Sequence, residues 1–335
     1  MLHQITRRLL LSILVLVGVS LLVFFLSHIV PGDPARLAAG PQARMEQVEN
    51  LRREYGLDKP LPEQYVVYMR NLLKGDLGKS LQSRRPVLND LKDYFPATFE
   101  LTFLATILAV VGGVAFGIIS AVYKNKWIDN LLRVFSLTGV SMPVFWLGIV
   151  LVLIFYRQLD ILPFGNRLDA SLTTPQQITG LYLLDSLMTG NLPAFWSAFK
   201  HLILPSITLA YSSLGVISRM SRASLLEVMQ EDYIRTARAK GLREKLVISR
   251  HAMKNSLIPV LTVIGLQFGS LLGGAFLVEV IFSWPGLGTY AMKAIMFLDY
   301  NAIIGVTLVT AVAFMLTNLL VDLLYMVVDP RMRTS

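Results

Sequence analysis

The chain has 335 residues, 54% of them hydrophobic and 16% charged, and carries a net charge of +9. That balance is too apolar for a soluble globular domain and indicates a membrane protein, with its positive charge on the cytoplasmic side of a bilayer rather than on nucleic acid. There is no cysteine, which excludes disulfides, thiolate catalysis and zinc–thiolate sites, and the four histidines have no metal-ligand spacing.

Six segments are expected to span the membrane: 9–30, 99–123, 134–156, 202–217, 257–281 and 302–328. The first follows Arg7-Arg8 and is longer than the apolar core of a signal peptide, so it reads as a retained helix. Pro31-Gly32-Asp33-Pro34 must end it. The stretch 31–98 then predicts short amphipathic helices: Met45, Val48, Leu51 and Tyr55 recur at helical spacing, as do Val66, Met69 and Leu73. A last piece from Val87 to Phe95 is expected to end at Pro96. This outer segment either helps to seat a delivery protein or serves as a structural lid. Gly78-Lys79-Ser80 mimics the end of a phosphate-binding loop, but Leu73 stands where that motif needs glycine, so no nucleotide site is expected.

Small residues mark two spans. Gly113 and Gly117 lie in the second, and Gly265, Gly269 and Gly273 in the fifth, spaced for close helix packing in lipid. A moving seam at the gate is the sharper alternative. In the third span, Gly139-Val140-Ser141-Met142-Pro143 predicts a break, tolerated at membrane depth where it faces protein or a water-filled cavity. Ser141 and Pro143 are therefore pathway candidates. The loop 157–201 carries turn signals, and its semi-apolar stretch 178–188 suits a membrane surface. The fourth span reads as short and hydroxyl-rich, with Ser206, Thr208, Ser212 and Ser213. Ser212, Gln267 and Glu279 complete the pathway candidates. An interhelical hydrogen bond is the plainer role for Glu279, and for Asn318 and Asp322 of the sixth span.

Charge orients the spans. With the N-terminus inside, the inner pieces 1–8, 124–133, 218–256 and 329–335 hold sixteen Lys and Arg, whereas the short outer pieces 157–201 and 282–299 hold four. Both termini are then cytoplasmic. The eleven in 31–98 count less, because long segments translocate largely regardless of charge.

The largest inner piece contains Glu231-Asp232-Tyr233-Ile234-Arg235-Thr236-Ala237-Arg238-Ala239-Lys240-Gly241. Acidic residues at its start and basic ones at its end suit a helix dipole, and Gly241 suits the left-handed stop. Tyr233, Ala237 and Gly241 share one face at four-residue spacing, which would admit another protein's surface. A plain solvated loop helix is the alternative.

The run EDYIRTARAKGL followed by RHAMKNSLIPV resembles the cytoplasmic loop of ABC importer permeases, in particular the peptide/nickel branch. Arg235 and Thr236 stand where the wider family has Glu and Ala, while Ala237 and Gly241 match. PGDP, YGLDKPL, GDLGKS, TGVSMPVFWLG, IFSWPGLG and NLLVDLLY extend the likeness from Arg7 to Arg331. Within the branch the chain looks most like the first permease subunit of dipeptide and glutathione importers. The resemblance implies an all-α, six-helix type I permease fold with a helical outer segment between the first two spans. The implied layout is 1–30 for the first helix, 31–98 outside, 99–328 for the core with a coupling loop at 218–256, and 329–335 as a tail.

The resemblance also implies a place in the bacterial cytoplasmic membrane, a heterodimer there with a second permease, two ATPase subunits on the inside that hold the ATP and magnesium, and an extracytoplasmic solute-binding protein. No cofactor is expected in this chain and no covalent chemistry. Tyr233, Arg235, Ala237, Arg238, Ala239, Lys240 and Gly241 would meet the ATPase. The solute could be a dipeptide, a longer peptide, glutathione or a nickel or haem chelate. A rival of another class, an ion-gradient-driven transporter, would need paired ionisable groups at the midplane and an inverted repeat, neither of which is visible. An intramembrane enzyme would need a nucleophile, paired-Asp or metal constellation within the spans, and none is visible.

Overall fold

The computed structural model describes residues 2–29, 34–39, 43–54, 56 and 58–328, with the side chains of 2–9, 12, 26–29, 34, 37–38, 51, 54 and 321–328 outside the description. Leu51, Tyr55, Asp322, the run 31–33 and the tail 329–335 therefore fall outside the described side chains. Everything regular among the described residues is helical, apart from one isolated bridge between Lys79 and Pro86. The chain divides into two compact units, residues 1–95 with 289–315 and residues 96–288 with 316–335.

The first unit contains α1 (Leu2–Ile29), α2 (Pro34–Ala39), α3 (Met45–Glu54), α4 (Leu61–Leu73) and α13 (Leu287–Met296) from Thr289 onward. Phe24 of α1 meets Tyr65 and Tyr68 of α4 at centroid distances of 5.3 and 5.7 Å, and Ser20 exchanges a hydrogen bond with Tyr65 at 2.8 Å. The mimic Gly78-Lys79-Ser80 is a structural turn in this unit. Gly78 takes a left-handed φ of 76°, and Ser80 donates to the buried Asp299 at 2.5 Å.

Four described helices are long and apolar enough to cross a membrane: α5 (Val87–Val122), α9 (Leu192–Val228), the continuous run Glu244–Ile281, and α14 (Tyr300–Val328) over its first 21 residues. The run Glu244–Ile281 comprises α11 (Glu244–Leu246), a π-helical turn Val247–Ala252 and α12 (Met253–Ile281). A broken pair makes a fifth. α6 (Trp127–Ser141) and α7 (Val144–Leu151), the latter extended by a π-helical turn Val152–Gln158, bend by 110° at Met142-Pro143. The break expected from the glycine and proline is thus present, and it turns the chain sharply. α1 spans 28 residues, with a described apolar stretch at Ile13–Phe25.

Three boundaries differ from expectation. The second long helix begins at Val87 and runs through Pro96 instead of ending there. Proline removes one backbone donor and leaves the carbonyl of Lys92 without its in-helix partner, yet the helix continues through it. Just beyond it, Trp284 Nε1 donates to the Ala97 carbonyl at 2.9 Å and the Leu287 N–H donates to Thr98 Oγ1 at 2.7 Å, which fastens this part of the helix to the turn at 284–287. The third helix starts at Trp127 rather than at 134. The fourth is not short: α9 has 37 residues, and 67% of its apolar window is buried, against 28% for α5.

α9 is the axis of the second unit. α6, α7, α12 and the short α8 (Tyr182–Met188) all pack on it. Its hydroxyls depress its apolarity yet suit burial, since Thr208 Oγ1 bonds back to the Leu204 carbonyl at 2.8 Å and Ser224 Oγ reaches the Ser256 carbonyl at 2.8 Å. In lipid, helices gain little from the hydrophobic effect and associate by close packing, so small residues decide the contacts. A Cβ on Gly113 would fall 2.8 Å from Ile217, and one on Gly117 would fall 2.7 Å from the Ser218 carbonyl oxygen. Both glycines therefore hold α5 against α9. Gly265 and Gly269 are buried on α12, whereas Gly273 is exposed with nothing within 4 Å, which removes it from the expected packing face.

Candidate coupling site and pathway residues

α10 (Asp232–Ala239) forms where the charges predict it. Asp232 sits in the first turn and Arg238 in the last, and Gly241 stops the helix with φ +74° as its N–H bonds the Arg238 carbonyl at 2.9 Å. Of the three residues on the expected contact face, Tyr233 and Gly241 are exposed and Ala237 is buried. Ile234 is fully buried and Ala237 is 6% exposed, and both pack into a socket of Ala121, Leu225, Val247 and Ala252. Ala237 therefore anchors the helix to its own chain and is not available to a partner.

Tyr233 is 39% exposed and accepts from Asn255 Nδ2 at 2.8 Å, tying the helix to α12. Arg238 forks onto Glu244 at 2.7 and 3.1 Å, which raises its guanidinium above the ordinary value. Arg235 pairs with Asp232 at 3.2 Å where both are exposed, a contact worth about 0–1 kcal/mol. Ala239, Lys240 and Gly241 are exposed. The outward surface thus consists of Tyr233, Arg235, Thr236, Ala239, Lys240 and Gly241, with Arg238 already engaged.

The pathway candidates are scattered. Ser141 and Pro143 are exposed at the α6–α7 break. Ser212 is half-buried on α9, and the half-buried Gln267 accepts from the neighbouring Ser213 at 2.8 Å. Glu279 is fully buried. It accepts from Thr98 Oγ1 at 2.5 Å and from the Gly288 N–H at 2.6 Å. A Cβ on Gly286 would overlap its carboxyl group, so the turn Phe282-Ser283-Trp284-Pro285-Gly286-Leu287-Gly288 closes around the glutamate.

Sequence reasoning missed a second buried group. Asp129 of α6 is fully buried and accepts from Arg222 Nε and Nη2, both at 2.9 Å, from Ser120 Oγ at 2.5 Å and from the Asn125 N–H at 2.9 Å. Its position next to an apolar run was the available signal; its partner lies 93 residues away.

An all-helical unit built on small-residue packing, with a short charged helix seated at one end of its long helices, is the build of a polytopic membrane protein. Residues 113–334 match the model of the family described as "Binding-protein-dependent transport system inner membrane component", and residues 1–102 match the model of that component's N-terminal part. The chain is 49% identical to a probable D,D-dipeptide transport system permease protein of Escherichia coli K12 over 95% of this chain and 94% of that one. It is 47% identical to a dipeptide transport system permease protein of Alkalihalophilus pseudofirmus over 99% of this chain and all of that one. In fold it is similar to a chain of the MetNI methionine ABC transporter in inward-facing form, with a TM-score of 0.51 at 15% identity, covering 70% of this chain and 93% of that chain. The chain belongs to the binding-protein-dependent transport system inner membrane component family, the permease subunits of ABC importers. ATP hydrolysis in such importers resides in separate subunits, and a binding protein and ATPases are the partners of the class.

Proposed function

We propose that this permease moves small peptides, dipeptides first among them, into the cytoplasm. The observation that carries this reading is near-half identity along essentially the whole chain to permeases named for dipeptides. In this reading the chain pairs with a second, homologous permease, two ATPase subunits dock beneath on α10, and an extracytoplasmic binding protein delivers the solute. ATP and magnesium belong to the ATPases, and this chain needs no cofactor and binds no nucleic acid.

The chain crosses the bacterial cytoplasmic membrane six times with both termini inside, taking α1 and the α6–α7 pair as spans. Residues 31–98 then lie outside, 99–328 form the core with its coupling loop at 218–256, and 329–335 form a cytoplasmic tail. The exposed surface of Tyr233, Arg235, Ala239, Lys240 and Gly241 meets the motor, and Arg238 and Ala237 support it from behind. Uptake by the reconstituted complex tests the solute directly. ATP-driven import of dipeptides, with little import of glutathione by the same vesicles, supports the reading. Import of glutathione or a nickel chelate in preference to dipeptides overturns the solute, and import driven by an ion gradient without ATP overturns the mechanism.

A further inference from the structure

Asp129 sits where three helices meet beneath the socket of α10. Its contacts come from α5 through Ser120, from the α5–α6 connection through the Asn125 N–H, and from α9 through both ends of the Arg222 guanidinium. Arg133, one turn along α6, adds a longer ion pair at 3.4 Å. The carboxylate is fully buried and Arg222 is 22% exposed.

A buried carboxylate is stable only when its lone pairs are met, and a forked arginine fixes both partners in direction as well as distance. The same two helices supply the socket wall. Ala121 follows Ser120 on α5, and Leu225 lies one turn beyond Arg222 on α9. Any push on α10 therefore reaches Ile234 and Ala237, then Ala121 and Leu225, and one residue or one turn further it reaches the Asp129 cluster.

We propose that Asp129 is a positioning residue for energy coupling. With Arg222 and Ser120 it locks α6 to the α10 socket, so that α5, α6 and α9 move as one body when α10 is displaced. A merely packed junction would let α10 shift its socket while α6 stayed behind. This inference rests on the reading of α10 as the ATPase contact.

The test uses the complete transporter, with its partner permease, ATPases and binding protein, in proteoliposomes. ATP hydrolysis and dipeptide uptake are measured on the same vesicles and expressed as solute moved per ATP. Asp129→Asn keeps the shape of the side chain but loses the charge and one acceptor oxygen. The expected result is an assembled complex that hydrolyses ATP while solute per ATP falls at least tenfold. Arg222→Lys, which keeps the charge and loses the fork, is expected to fall in between, and Ser120→Ala to fall about twofold.

An unchanged ratio in Asp129→Asn overturns the proposal, even if the amount of assembled complex drops, because the clasp would then only stabilise the fold. Should Asp129→Asn fail to assemble, Arg222→Lys and Ser120→Ala decide: wild-type ratios in both overturn the proposal, and lowered ratios sustain it. The wild-type vesicles report separately on the underlying reading, since absence of ATP-driven dipeptide uptake there sinks the function and not the clasp alone.

Discussion

Replacing Glu279 with alanine removes the acceptor for the Thr98 hydroxyl and the Gly288 N–H in a fully buried place. Each abandoned donor costs about 1–3 kcal/mol. Glu279→Ala is therefore expected to lower the thermal unfolding temperature of the detergent-purified protein clearly, with uptake per folded chain retained. A stable variant with altered solute preference would return Glu279 to the pathway. The glycines give a matched pair. Gly117→Val pushes into Ser221 and the Ser218 carbonyl and should cost about 1–3 kcal/mol, whereas Gly273→Ala meets nothing within 4 Å inside α12 and should cost nothing, with a gain of up to about 1 kcal/mol from helix propensity. Unfolding midpoints of the two variants check this.

Asp185, in α8 before α9, offers a pH readout at the same scale. Burial raises its pKa, but the Thr179 side chain and the Thr179, Ile178 and Gly180 backbone N–H groups outweigh that and lower it overall. A lowered value means that its stabilisation is complete above the ordinary carboxylate pKa and is lost as pH falls through the folded value. Protease cleavage within 170–190 should stay slow from neutral pH down to about 4 and accelerate only below it. Acceleration between about pH 7 and 5, well above the ordinary carboxylate range, would contradict the assignment.

α10 owes its ends to its own residues and its inward face to the rest of the chain. Its ends were legible, because the acidic start, the basic finish and Gly241 are local signals that do not depend on the rest of the chain. Its inward face was not. Tyr233, Ala237 and Gly241 share a stripe by spacing, but the deep residue is Ile234, and which stripe turns inward is set by Ala121, Leu225, Val247 and Ala252, all of them outside α10. The distinction has a consequence. Ala237→Glu places a charge in the apolar socket and should unseat α10, seen as faster proteolysis at 231–243, with uptake lost as a secondary result. Lys240→Glu changes an exposed residue and should leave proteolysis at the wild-type rate while uptake falls. Equal proteolysis of both variants would show that the socket does not hold the helix.

For the whole molecule, the helical class, the break at Met142-Pro143 and the close glycine seam at Gly113 and Gly117 could be read from residue order alone, because proline, glycine and apolar runs act locally. The central place of α9 could not. Ser206, Thr208, Ser212 and Ser213 make it look short and weakly apolar, yet small buried residues along it, Ser218 and Ser221 among them, are what let other helices approach it. Pro96 reads as a stop by its local chemistry, yet α5 runs through it, and the residues just beyond it are held by Trp284 and Leu287, nearly two hundred residues away. The long-range partner of Asp129 was hidden likewise.

In the proposed mechanism, force enters through the outward surface of α10. The chain has no cysteine, so a single one introduced at position 240 is a unique chemical handle. In the intact transporter, Lys240→Cys with a short bifunctional thiol–amine reagent should give one cross-linked product between this chain and an ATPase subunit, with a yield that changes on adding ATP. Failure to cross-link, together with labelling of the introduced thiol by a membrane-impermeant reagent applied to the outside of intact cells, would contradict it.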